Sequence, residues 1–123
     1  TTHSDDRREL TQFYNGEVFT VQNARLIRIK DNPTGKDIIL GGHYHDDPEL
    51  LFIIKGAMKQ LRVQDINGGE PFENSQLESG TRIFLPANYA HELVFAKAAT
   101  LIALSGRPYN PRKLISYSIL PHQ

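Results

Sequence analysis

Apolar residues in this chain come in short runs of four to eight, rich in Val, Ile, Leu and Phe, and Gly, Pro or Asn stops each run. Runs of that length fit strands and are too short for packed helices, so the punctuation predicts an all-β fold. The predicted strands cover 17–21, 24–30, 37–40, 49–55, 58–66, 82–85, 92–95, 100–104 and 114–120. Alternation supports them: Arg25, Ile27 and Ile29 would face one way and Leu26, Arg28 and Lys30 the other, as in a half-buried sheet. Between the runs lie turn formers, among them Asp31 to Gly35, Asn67 with Gly68 and Gly69, and Ser79 with Gly80. Only the stretch 5–13 offers a short helical turn or two. About nine strands joined by turns imply an antiparallel sandwich or a small closed barrel, because closure removes exposed sheet edges.

Nine Gly and seven Pro in 123 residues suit one compact domain over 1–123. Fourteen basic and fourteen acidic side chains cancel, with pI near 6.9, so no basic surface is built for phosphate backbones and nucleic acid is not an expected partner. No apolar run approaches the roughly 20 residues that span a bilayer, so no membrane partner is expected either. The chain has no Cys, which excludes disulfides, thiolate ligands and a cysteine nucleophile and leaves nitrogen and oxygen to hold any metal. The first residues are polar and carry no secretory pattern, so a cytoplasmic location is the expectation.

Chemistry concentrates in two places. His43 and His45, one residue apart, project from the same face of a strand, and Glu49 enters four residues later on the next one. His91 follows a turn containing Pro86. Three His and one Glu suit a divalent ion, Zn, Ni, Mn, Fe or Cu, with one or two positions left for water or substrate. Tyr44, between the two His, points away from such an ion and suits packing or a dimer contact. Asp46 and Asp47 read as a solvated turn before Pro48. Only one of Arg25 and Arg28 can point inward, and both read as ordinary surface charge. His3 and His122 lie near the polar ends and are assigned no role.

These residues resemble the motifs of the cupin superfamily. Its first motif is a spaced Gly, His-x-His, Glu and Gly, whose gaps are kept here by His43, His45, Glu49 and Gly56, with Asp37 at the leading Gly. Its second is met by Gly80, Pro86 and His91, with Asn88 at an inner Gly and Phe95 at a terminal Asn. Asn is the mildest replacement for that Gly because it tolerates positive φ. The resemblance implies an antiparallel jelly-roll β-barrel with little helix, in which His43, His45, Glu49 and His91 are the metal ligands. Its motifs cover 37–95, flanked by strand segments over 10–30 and 98–120.

The flanks resemble the sugar-nucleotide cupins, in particular the dTDP-4-keto-6-deoxyglucose 3,4-ketoisomerases. Asp5 to Arg8 stand near an opening Asp-x-Arg-Gly, and Gly41 to His45 match an Arg-Gly-x-His-x-His stretch lacking its Arg. Pro86 to Glu92 and Leu104 to Pro111 match later segments. Candidate replacements for the missing Arg are Arg25, Arg28, Lys30, Lys59 and Arg62. In those ketoisomerases a Gln takes the place of Glu49 and the paired His work as acid and base without metal, so the Glu here argues for an ion. The resemblance thus implies a metal-binding isomerase or epimerase of a small sugar-like substrate, such as a nucleotide-linked keto sugar. His43, His45 and Glu92 are the candidate acid–base residues, Tyr44 and Tyr89 further proton carriers. An Fe-dependent dioxygenase and a non-catalytic binding module are the alternatives. Small cupins commonly pair, which implies a homodimer in which 10–21 extends a neighbour's sheet.

Overall fold

The computed structural model describes residues 2–4, 7, 9–11, 13, 14, 16, 17, 19–107, 115–117 and 119. Among them run eleven strands and no helix: β1 (Thr2–Ser4), β2 (Glu9–Thr11), β3 (Asn23–Ile29), β4 (Ile38–Tyr44), β5 (Glu49–Lys55), β6 (Ala57–Asp65), β7 (Phe72–Glu78), β8 (Arg82–Leu85), β9 (Tyr89–Phe95), β10 (Ala99–Ser105) and β11 (Ile115–Ser116). They form a four-stranded sheet ordered β3-β10-β5-β8, a five-stranded sheet ordered β11-β4-β9-β6-β7, and a separate β1-β2 pair. Every pairing is antiparallel. This is an antiparallel sandwich, as the punctuation predicts, with the jelly-roll order that the resemblance implies.

The alternation of β3 is as read from sequence: Arg25, Ile27 and Ile29 turn inward, Ala24, Leu26 and Arg28 outward. Between the sheets lies one apolar core, with Leu51, Ile53, Leu85 and Leu101 from one side and Met58 and Phe95 from the other fully buried. Gly56 makes the corner where the chain leaves one sheet for the other. Its φ of +80° is one that L side chains avoid, and a Cβ there would sit 2.7 Å from the Ala98 carbonyl oxygen.

Three expectations are corrected. Segment 17–21 is not a strand at its described residues: the Tyr14 hydroxyl bonds both the carbonyl and the N–H of Phe19, taking the groups a ladder needs. Residues 9–11, read as part of a helical turn, form β2 and pair with β1 of the same chain. The strand β7 went unpredicted because this edge strand faces solvent along most of its length and shows no apolar alternation. Within the range 114–120, only Ile115 and Ser116 are strand among the described residues.

Phe13 and Glu17 lie against the outer face of the four-stranded sheet. Phe13 stacks on Phe52 with ring centroids 4.6 Å apart, and Arg82 donates from Nη1 to the Phe13 carbonyl at 3.0 Å. Among the described residues no helix is long and apolar enough to cross a membrane.

Candidate functional site

Strand β4 delivers its histidine through an irregularity. Ile38 and Leu40 face the core opposite Phe95 and Leu93, and unbroken alternation would then send His43 to the outer face. The register slips between Gly41 and His43, so that Gly41 opposes Glu92 and His43 opposes His91. This bulge resets the alternation and turns His43 inward. Both glycines carry the strain, at φ +97° for Gly41 and +73° for Gly42, and a Cβ on Gly41 would run into the His91 carbonyl oxygen.

His45 follows just past the end of β4 and is buried. Its Nδ1 lies 2.7 Å from the Asp47 carbonyl oxygen, and its own carbonyl accepts the N–H of Asn88 at 2.9 Å. His91, also buried, directs Nδ1 to the Tyr89 carbonyl at 3.3 Å. A carbonyl only accepts, so in both rings Nδ1 carries a proton and Nε2 is the nitrogen left to face the cluster. Ring centroids are 4.7 Å apart for His43 and His91, 5.3 Å for His45 and His91, and 6.1 Å for His43 and His45. One ring nitrogen of each lies within 4.8 Å of the other two.

Glu49, the first residue of β5, arrives from the opposite sheet. Its Oε2 stands 3.8 Å from His45 Nε2 and 3.3 Å from Arg25 Nη2. The carboxylate is thus at the rim of the imidazole cluster, beside one ring, and does not come within the same span of all three. Arg25 reaches it from β3 across β10, where its neighbour Ala103 offers only a methyl group. Of the cations considered as replacements for the missing Arg, Arg25 is the one that reaches this site. Lys59 pairs with Asp37 at 2.7 Å, Arg62 lies on the outer face of its sheet, and Arg28 is exposed.

Burial sets the charge state. It pushes the His91 imidazole down to about 4, helped by His43 and His45, and it lowers His43 together with His45 and Arg25. It also raises the Glu49 carboxyl, against the pull of His45 and Arg25, with Asp47 adding to the rise. His43 and His91 are therefore neutral at neutral pH, as a metal ligand or a general base must be.

Other expected residues fall elsewhere. Glu92 does not join the cluster: it points to the face of β9 opposite His91 and sits 3.7 Å from Arg62 Nη1, while Arg62 also holds Glu73 at 2.8 Å. That corrects the expectation of a proton carrier there. Asp46 is a surface residue paired with Arg107, but Asp47 is corrected from solvated turn to support for His45, through its carbonyl and through Oδ1 at 3.6 Å from Nδ1. Tyr44 packs edge-on against Tyr117, away from the cluster. Tyr89 is partly buried against the core. Sequence reasoning missed the role of Arg25, whose signal was its inward register with Ile27 and Ile29, and the bulge, whose signal was two consecutive glycines before His43.

No protein-family model matches the sequence, and no curated protein is similar to it. Solved structures are similar. The 3,4-ketoisomerase from Helicobacter canadensis aligns with TM-score 0.76 and 21% identity over 94% of this chain and 84% of its own. The 3,4-ketoisomerase QdtA from Thermoanaerobacterium thermosaccharolyticum, in complex with TDP-4-keto-6-deoxyglucose, aligns with TM-score 0.71 and 19% identity over 94% and 81%. The capsular polysaccharide assembling protein CapF from Staphylococcus aureus gives TM-score 0.68 and 17% identity over 97% of this chain, which spans only 32% of CapF. Likeness at these identities establishes the fold alone, a jelly roll of two antiparallel sheets.

Proposed function

We propose that this chain catalyses isomerisation or epimerisation of a keto sugar, carried on a nucleotide, at the cluster of His43, His45 and His91. The observation that carries the reading is the gathering of three imidazoles at one end of the barrel, two with Nδ1 tied to carbonyls and Nε2 directed inward, next to a buried carboxylate. The ligands named in the similar ketoisomerase structure support the substrate class.

The donor set fits a divalent ion: His43, His45 and His91 would hold it, with burial favouring the neutral form of His43 and His91 and with the Nδ1 atoms of His45 and His91 tied to carbonyls. Such an ion would supply Lewis-acid polarisation of the sugar's carbonyl oxygen. The chain's own part is proton transfer. Glu49, with its proton affinity raised by burial, takes a proton from the carbon beside the carbonyl. The C–H electron pair forms the C=C bond as the carbonyl π pair moves to oxygen, giving an enediolate. In isomerisation Glu49 returns the proton to the former carbonyl carbon while the neighbouring hydroxyl passes its proton to the alkoxide and becomes the carbonyl. In epimerisation the carbonyl re-forms as a proton from water adds to the opposite face of the first carbon and Glu49 releases its own to water. His43 is the most open of the three rings.

The test is proton NMR of TDP-4-keto-6-deoxyglucose in D2O with tag-free protein of measured metal content. Exchange of a carbon-bound hydrogen beside the carbonyl is expected, slowed about 10²- to 10⁴-fold in E49Q. Protein reconstituted with one equivalent of each of Zn, Ni, Mn and Fe that gives no exchange over a day would overturn the reading.

A further inference from the structure

We propose that Arg25 is a positioning residue that holds Glu49 off the three-histidine cluster and so keeps it a proton-transfer group rather than a fourth metal ligand. This rests on the metal reading above. Glu49 is a carboxylate with only 11% of its side chain exposed, and a charge so placed needs a partner. Two are in reach: Arg25 Nη2 at 3.3 Å and, on the other side, the imidazole cluster through His45 Nε2 at 3.8 Å, both measured to the same Oε2. The oxygen that would turn to an ion is the one the guanidinium engages.

The arrangement is built by register. Arg25 shares its row with Ala103 and Leu51, and Glu49 shares the adjacent row with Ser105. The guanidinium must therefore reach diagonally across β10, past the short Ala103 and Ser105 side chains. Arg is the residue that spans this gap and still offers a planar fork to a carboxylate. With Arg25 in place, the cluster presents three nitrogens and keeps its remaining positions for the substrate. Without it, the buried carboxylate has the ion as its remaining partner.

Metal-free wild type, R25M, E49Q and R25M/E49Q are titrated with Co²⁺, reading the visible absorption band and the affinity. E49Q is expected to share the wild-type band and to match its affinity within about threefold, because Glu49 is not a ligand. R25M is expected to bind more tightly and with an altered band, as the freed carboxylate enters the coordination shell. R25M/E49Q is expected to regain the wild-type band, which separates entry of the carboxylate from simple removal of a positive charge. A wild-type band that moves in E49Q, or an R25M band that does not move, overturns this inference and leaves the metal reading standing. If R25M does not fold, E49Q decides alone by the same criterion. No Co²⁺ band in any of the four proteins overturns the metal reading and this inference together.

Discussion

The two sheets bring polar groups to the same end of the barrel by opposite means. In the five-stranded sheet and the turn that follows β4, His45 and His91 are held by main-chain carbonyls two residues away, those of Asp47 and Tyr89. In the four-stranded sheet Glu49 is held by a side chain 24 residues away, that of Arg25. A carbonyl two residues along moves with the ring it orients and brings no net charge. An ion pair joining two strands across a third can be broken by one substitution or by a competing ion. The imidazoles are therefore the fixed part of the site and the carboxylate the adjustable part.

The largest expected effect breaks the fixed part. G41A places a methyl group against the His91 carbonyl and forces an L residue to φ +97°. Strain and overpacking together should cost on the order of 4 kcal/mol. Urea denaturation should show that loss, and any protein that still folds should bind Co²⁺ poorly because the bulge no longer directs His43 at His91. Wild-type stability in G41A would mean that the bulge is not needed to seat the ring.

The same contrast explains what the sequence made legible. His43, His45, Glu49 and His91 were legible from the spacing of the two motifs, but their convergence also needs the bulge at Gly41 and Gly42 that turns His43 inward and the meeting of β4, β5 and β9, which alternation does not supply. Asn88, standing where the motif has Gly, adopts φ +64°, and Asp37 at the leading Gly pairs with Lys59, so both departures are accommodated. Arg25 was one candidate cation among several, and its pairing with Glu49 was not legible because that partner lies two strands away across β10, a neighbour relation that sequence order does not contain. Glu92 was misplaced for the simplest reason: it adjoins His91, and adjacent strand residues face opposite ways. Strand β7 was missed because its polar composition reflects solvent exposure, while its place in the sheet is set by pairing with β6.

A smaller effect sharpens the comparison through pH, because the two sides carry opposite signs. The His91 imidazole sits near 4 in the folded chain and near its ordinary 6.5 when unfolded, so the unfolded chain binds more protons between those values. Its contribution to stability is whole above 6.5 and is lost as pH falls toward 4, by on the order of 3 kcal/mol. The Glu49 carboxyl is raised, so its contribution is whole below its ordinary 4.5 and is lost as pH rises through the folded value. Urea denaturation with a chelator present, at pH 7, 5.5 and 4.5, should show H91Q losing most of the acid-side decline. E49Q should keep that decline and flatten the opposite slope. Parallel profiles for wild type and H91Q would show that the ring is not held neutral by burial.

The smallest effect concerns the joint between the regions. Asn88 lies in the turn from β8 to β9, which is to say between the two sheets, and its N–H bonds the His45 carbonyl at 2.9 Å. That bond uses the backbone and survives any non-proline substitution, so the identity of the side chain matters only through φ +64°. Asn and Gly accept this region and Ala does not. N88A should cost about 1 kcal/mol, while N88G should stay within a few tenths of wild type. Urea midpoints for the two variants separate the cases. Equal losses would assign the role to the Asn side chain, and a loss confined to Ala would show that the turn, by its backbone alone, fixes the position of His45 relative to the strand that carries His91.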